Sequence, residues 1–175
     1  MSNWTDQKAS QINKRHENER KQREWRLHEA AVLRERGPEL VRELQAIVER
    51  DAANWNEVFE GREDCQIQRT DRSVSIGFRM NKREPPSATI DISFDPNSLR
   101  LTVDIQRANI LRKGSNSIES YFSMSLSEGG DTVNLTPCYS NEQISMDTAS
   151  QILIETLTDE TAQYSLSHRT RKAAT

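Results

Sequence analysis

The side chains best placed for acid–base chemistry are two aspartates on neighbouring strand candidates. Asp91 and Asp104 take polar positions in segments where apolar and polar residues alternate. If Ile92 is set opposite Leu101 to align the apolar faces, the two carboxylates lie diagonally, about 7–8 Å apart. That spacing suits an acid/base pair acting through water. The plainer interpretation is a solvated sheet face with Arg100 as the charge partner of Asp91, and nothing in the sequence predicts burial of either carboxylate.

The histidines and cysteines do not form a recognisable site. His16 and His28 lie in a charged N-terminal segment, and His168 lies in a basic C-terminal tail. Cys65 and Cys138 have no CxxC motif, and no histidine stands near either of them in the sequence at the spacing of metal ligands. We therefore expect free, partly buried thiols, no metal site and no cofactor. Phosphate-loop, dinucleotide and nucleophile-elbow motifs are absent, which favours a non-enzymatic protein over an enzyme.

The charged N-terminal segment contains a second group of residues, suited to binding. Cations surround one tryptophan, and we take these as candidates for contact with a partner or nucleic acid: Lys14, Arg15, Arg20, Lys21, Arg23, Trp25 and Arg26. Basic clusters of this kind can bind phosphate. Glu17, Glu19 and Glu24 are interleaved with the cations and weaken the local field. A protein partner is therefore favoured, with nucleic acid as the alternative.

Charge is distributed unevenly along the 175 residues. Residues 1–36 have nine Lys/Arg and six Asp/Glu, a net of +3, and residues 37–163 have twelve and twenty-one, a net of −9. Residues 164–175 have three cations and no acid. An acidic body of this kind repels phosphate. No apolar leader and no apolar run of about 18–20 residues is found, so we expect a cytosolic protein that does not enter membranes.

Helical patterns dominate the first third of the chain. Residues 5–36 contain no Gly or Pro, but Ile12 is the one large apolar residue before Trp25. A helix there would depend on local ion pairs, which predicts a fraying helix or disorder. Gly37-Pro38 predicts a break between two helices. Residues 38–60 then carry the strongest apolar periodicity, with Gly61 at a capping position.

The pattern of apolar residues after Gly61 predicts a β-meander followed by one helix. Apolar residues alternate with polar ones over 74–80, 88–95 and 99–106, and less regularly over 117–127 and 132–139. Residues 65–69 could add an edge strand, and residues 108–116 form a long basic loop. The turns are placed at 95–98 and 128–131. A closing helix is expected over 148–163, capped by Asp147.

These patterns predict an α+β fold. An antiparallel meander of about five strands is apolar on one face, which is covered by a long N-terminal-side helix and a C-terminal helix. We expect a charged helical or disordered arm over 1–24, one α+β domain over 25–163 and a disordered basic tail over 164–175.

The expected function is a binding or assembly module that acts through protein–protein contacts, with a partner or with a second copy. Three alternatives remain open. A small ligand could bind between the main helix and the sheet, where Trp55 and Phe59 could guard a cavity. Nucleic acid could bind the basic arm. An acid/base enzyme could use Asp91 and Asp104.

Overall fold

One antiparallel six-strand sheet with two helices packed against it confirms the predicted α+β class. The computed structural model describes residues 3–71, 76–80, 88–109, 114–127, 129–130 and 132–158. Within them, neither helix contains a stretch long and apolar enough to cross a membrane. The elements are α1 (Asn3–Val58), a 3₁₀ turn (Glu63–Cys65), β1 (Ile67–Asp71), β2 (Ile76–Met80), β3 (Ala88–Asp95), β4 (Arg100–Asn109), β5 (Gly114–Leu126), β6 (Val133–Pro137) and α2 (Met146–Thr158).

The first helix is continuous, so the predicted break at Gly37-Pro38 is wrong. Pro38 lies inside α1, where it costs one backbone hydrogen bond. The helix continues because both sides of this point pack on the sheet, with Leu33 and Leu40 at most 3% exposed. Gly37 instead allows α1 to approach the sheet closely, because a Cβ on it would lie 2.5 Å from the Phe94 ring.

The strands follow chain order across the sheet, from β1 to β6. Their apolar sides and the inner sides of α1 and α2 form a single core, in which Leu44, Leu101 and Ala149 are fully buried. Burying a side chain the size of leucine contributes about 1.5–3 kcal/mol, so this shared interface is the main stabilising feature. It also fixes the face of α1 that contacts the sheet.

The register of β3 against β4 differs by two residues from the predicted one. Phe94 is opposite Leu101 and Ile92 is opposite Val103, because the strands close at Asp95 and Arg100. Residues 96–99 form the turn, in which the carboxylate of Asp95 accepts hydrogen bonds from Asn97 N–H and Ser98 Oγ. Leu99 takes a left-handed φ of 54°. The turn thus has the predicted four residues but lies one residue further along the chain.

The next hairpin is longer than expected. β4 and β5 pair as far as Asn109 and Gly114, which replaces most of the predicted 108–116 loop with strand. β1 (Ile67–Asp71) is a full strand at the edge of the sheet. Residues 72–75, 81–87, 110–113, 128 and 131 lie outside the described residues, and with them parts of the predicted 74–80 strand and 128–131 turn.

The closing helix begins at Met146, and its cap is Ser145 rather than the predicted Asp147. Ser145 Oγ accepts from Thr148 N–H at 3.1 Å, and Ser145 O accepts from Ala149 N–H. Asp147 lies in the first turn and pairs with Arg50 instead. The predicted end of this helix at 159–163 and the basic tail, with His168, lie outside the described residues.

The end of α1 is tied to the edge strand. Asn56 Nδ2 donates to Ile67 O at 2.8 Å, and Asn56 Oδ1 accepts from Ile67 N–H at 2.7 Å. Gln66 Nε2 donates to Phe59 O at 2.8 Å. These bonds satisfy backbone groups at the start of β1 and fix the direction of α1 relative to the sheet.

Candidate functional site

The N-terminal half of α1 forms a helical arm, defined here as Trp4–His28. Every residue of the arm is exposed, including large apolar side chains: Trp4 is 69% exposed, Ile12 48% and Leu27 67%. Burial begins only at Glu29 and Leu33. The arm is about 37 Å long at 1.5 Å per residue. All seven candidate binding residues of the sequence analysis, Lys14 to Arg26, lie on it.

Half of the candidate cations are paired within the helix. Arg15 Nε lies 2.9 Å from Glu19, Lys21 Nζ lies 2.8 Å from Glu17 and Arg20 Nε lies 3.6 Å from Glu24. The bond from Lys21 lowers the pKa of Glu17. Such pairs support an isolated helix. Lys14, Arg23 and Arg26 form no ion pair within the described residues.

The arm continues the face by which α1 packs on the sheet. The buried positions of α1 recur at three- and four-residue spacing, and the same spacing extended backwards defines the arm face: Trp4, Lys8, Ile12, Arg15, Glu19, Arg23 and Arg26. Residues at this spacing share one side of an α-helix. Four cations and one acid give the arm face a net charge of +3. Sequence reasoning missed this continuity because Gly37-Pro38 was interpreted as a break.

The arm meets the body at the β5–β6 hairpin. Glu29 Oε1 accepts from Leu126 N–H at 3.0 Å. The Trp25 ring lies near Gly130, where an added Cβ would be 3.9 Å from it. Trp25 is 39% exposed and also lies 6.0 Å from the His28 ring, so this candidate partner residue partly contacts its own chain. These contacts set where the arm leaves the body.

Three carboxylates form an acidic row across the other face of the sheet. Asp91 pairs directly with Asp104, and Asp104 pairs with Glu119 on β5. The predicted diagonal placement of Asp91 and Asp104 is therefore wrong, and their α-carbons lie at the about 4.5–5.5 Å spacing of opposed residues. Gln106 Nε2 donates to Asp104 Oδ2 at 2.9 Å.

The two aspartates differ in environment, which the sequence did not predict. Asp91 is 7% exposed, whereas Asp104 is half-buried. Asp91 Oδ1 and Thr70 Oγ1 both approach Gly77, whose added Cβ would lie 2.4 Å and 2.6 Å from them. Because it has no side chain, Gly77 leaves space for the Asp91 carboxylate at the inner end of the acidic row. Within the described residues, no group of three His, Cys, Asp or Glu side chains is arranged to hold a metal ion.

The rest of this sheet face is polar, and both described helices lie on the opposite face. Ser93 Oγ and Thr102 Oγ1 share a hydrogen bond at 2.6 Å. The Arg100 guanidinium stacks on the Tyr121 ring at 4.1 Å from its centroid. Arg100 also stands opposite Asp95, so the predicted pairing with Asp91 is wrong. The polar face therefore presents the acidic row beside a stacked Arg–Tyr pair.

A cleft of about 340 Å³ lies between α1 and α2. Arg50 reaches Asp51 and Asp147 at 2.8 Å each, which raises the pKa of Arg50 through hydrogen bonds first to Asp147 and then to Asp51. Ser150 Oγ donates to Asp51 Oδ2 at 2.6 Å. These side chains bind one another across the two helices, so we interpret the cleft as part of the contact between α1 and α2. Its lining is Arg50, Asp51, Asn54, Asp147, Gln151, Ile154 and Glu155.

The residues predicted to guard a ligand cavity take part in packing. Trp55 Nε1 donates to Cys65 O at 2.8 Å, and its ring lies 4.5 Å from that of Phe59. Cys65 and Cys138 are free and partly buried, as the sequence indicated. His16 is exposed on the arm and lies 3.8 Å from Glu19.

Comparison of the chain with protein-family models, with curated proteins and with solved structures found no match in any of the three.

Proposed function

We propose that this protein is an assembly module whose helical arm makes an intermolecular contact. One observation carries the proposal: a single helix uses one face to pack on its own sheet, and the same face continues for about 37 Å without a partner in the described chain. Exposed Trp4 and Ile12 lie on that face. Tryptophan is enriched at the centre of protein interfaces.

A protein surface fits the arm better than nucleic acid does. The arm contains four carboxylates among its seven cations, and three of the cations are already paired within the helix. The arm face does carry an excess of cations, as phosphate binding requires, but a phosphate backbone offers no apolar contact to the exposed Ile12. Mixed charge with isolated large apolar residues is instead suited to a surface that offers both acids and apolar contact.

The test is solution mass by light scattering, for the full chain and for a chain beginning at Trp25. The full chain is expected to associate with rising concentration and the shortened chain to stay monomeric. Circular dichroism establishes that the shortened chain keeps its sheet. Equal masses for both chains at every concentration would contradict assembly through the arm.

A matched pair of full-length variants separates the arm face from other exposed apolar side chains of α1. Trp4→Ser with Ile12→Ser removes the apolar side chains of the arm face and should weaken association. Val58→Ser removes a similarly exposed apolar side chain at the other end of α1, outside the arm, and should not. Equal effects of the two changes would show that the arm face has no special role.

A further inference from the structure

We infer that the surface contacted by the arm is the acidic row of a second copy of this chain, in a reciprocal dimer. This inference rests on the proposed function and names the partner surface. The arm face carries a net charge of +3, and the acidic row presents the carboxylates of Asp104 and Glu119 at the surface, with Asp91 buried at its inner end. Opposite charges on two surfaces of one chain are complementary between copies.

The spacing of the two surfaces also matches. Neighbouring strands in a sheet lie about 4.8 Å apart, so the acidic row advances by about that distance at each residue. Arg23 and Arg26 are three residues apart on one face of α1, a rise of about 4.5 Å. A helix crossing the strands can therefore set successive arginines against successive carboxylates. Both of these arginines form no ion pair within the described residues.

The arm cannot reach the acidic row of its own chain. α1 packs on the apolar face of the sheet, and the row is on the opposite face. The helix is continuous from the core outward, and Glu29 holds it at the β5–β6 hairpin, so it leads the arm away from its own polar face. The complementary charges can be brought together only between molecules.

A reciprocal dimer, in which each arm contacts the acidic row of the other copy, explains how so polar an interface buries enough surface area. Specific interfaces bury about 1,200–2,000 Å² in total, which one charged helix on a sheet does not supply easily. A two-fold dimer forms the arm–row contact twice and closes without leaving a free arm. The arm, at about 37 Å, is longer than the about 24 Å across six strands.

Charge reversal on full-length chains tests the inference. The arm-reversed variant carries Lys8→Glu, Arg23→Glu and Arg26→Glu. The row-reversed variant carries Asp104→Lys and Glu119→Lys, and leaves the buried Asp91 in place. Each variant alone should associate at least about tenfold more weakly than the unaltered chain, because like charges then face each other. An equimolar mixture should regain association as a heterodimer, since both contacts are again complementary.

The control carries the charge change of the row-reversed variant at exposed positions elsewhere, Glu39→Lys with Glu142→Lys. It should associate like the unaltered chain, and circular dichroism should show unchanged helix and sheet in all variants. Association of the unaltered chain should also weaken as salt rises from about 0.05 M to 0.5 M, because exposed charges are screened.

Other outcomes overturn the inference in distinguishable ways. A row-reversed variant that still dimerises would point to pairing between two arms, and leaves the proposed function standing. Monomeric chains that bind a single-stranded RNA oligonucleotide through Arg23 and Arg26 would point to nucleic acid instead. Equal masses for the full chain and the chain beginning at Trp25 would remove the proposed function and this inference together.

Discussion

At the scale of single residues, two glycines are explained by what approaches them. Gly37 faces the Phe94 ring and Gly77 faces Asp91 and Thr70. Neither has the positive φ that glycine alone adopts easily, whereas Gly61 and Gly130 do. Gly37 and Gly77 therefore act through size, allowing the helix to approach the sheet and the carboxylate to lie low on it.

Gly37→Ala should destabilise the fold, contrary to the usual effect of this change in a helix. Replacing glycine by alanine inside a helix normally stabilises by about 0.5–1 kcal/mol. Here the added methyl meets the Phe94 ring, and overpacking of this kind costs about 1–3 kcal/mol. The measurement is urea unfolding of the variant, with Glu39→Ala as an exposed control on the same helix.

A double-mutant cycle identifies the cause. Phe94→Leu shortens the side chain that faces Gly37, so Gly37→Ala should cost less in that background than in the unaltered chain. An equal cost in both backgrounds would show that Phe94 is not the group displaced.

The lowered pKa of Asp95 predicts how the free energy of unfolding depends on pH. Hydrogen bonds from Ser98 Oγ and Asn97 N–H lower its pKa below the ordinary value. A lowered folded-state pKa means that its stabilisation is complete above the unfolded value and is lost as pH falls through the folded one. Asp95→Asn should therefore reduce the free energy of unfolding at pH 7 and have less effect near about pH 3. An equal loss at both pH values would contradict this assignment.

At the scale of elements, the joint between α1 and β1 depends on one asparagine. Asn56→Ala removes both hydrogen bonds to the backbone of Ile67, a residue that is 4% exposed. We expect a loss of about 1–3 kcal/mol, since buried backbone groups then lack partners. Hydrogen exchange should rise at the start of β1 before it rises in β3 and β4.

Asn56→Asp provides the comparison for this joint. The carboxylate can still accept from Ile67 N–H but cannot donate to Ile67 O when ionised. The free energy of unfolding of Asn56→Asp should lie between those of Asn56→Ala and the unaltered chain. It should be closer to that of Asn56→Ala if the carboxylate repels the Ile67 carbonyl. A stability as low as that of Asn56→Ala together with unchanged exchange in β1 would show that the bonds do not hold the edge strand.

The sequence predicts these elements well where one face is apolar. Alternation in β3 and β4 indicates which side chains point inward, but it is unchanged by a shift of two residues. The register therefore depended on the turn, and the hydrogen bonds made by Asp95 were not evident from composition. The direct pairing of Asp91 and Asp104 was missed for this reason.

The continuity of α1 could not be predicted from local signals. Gly37-Pro38 is a strong break signal, and it is outweighed by the packing of Leu33 and Leu40 against a sheet formed by residues far along the chain. Tertiary packing often outweighs local propensity in this way. Because α1 is continuous, the arm face and the buried face of α1 lie on the same side of the helix. The exposed cations of the arm face therefore point in one direction.

At the scale of the whole molecule, one helix spans two regions of different stability. From Leu33 to Ala52 its inner face is buried in the core. In the arm it depends on local ion pairs, each worth a few tenths of a kcal/mol. Amide protection in a monomer should therefore fall sharply on the N-terminal side of Glu29, although the helix itself has no break there.

Association should extend that protection into the arm. Hydrogen exchange followed by mass spectrometry, below and above the concentration at which the chain dimerises, should show residues 4–28 exchanging fast in the monomer and slowly in the dimer. Residues 33–52 should be protected in both, because their hydrogen bonds open only with the core. The carboxylate of Glu119 is exposed in the monomer, so its modification by a carbodiimide should slow in the dimer together with exchange in the arm. If the arm gains protection while Glu119 stays equally reactive, the arm engages a surface other than the acidic row; if it gains none, the arm lies outside the interface.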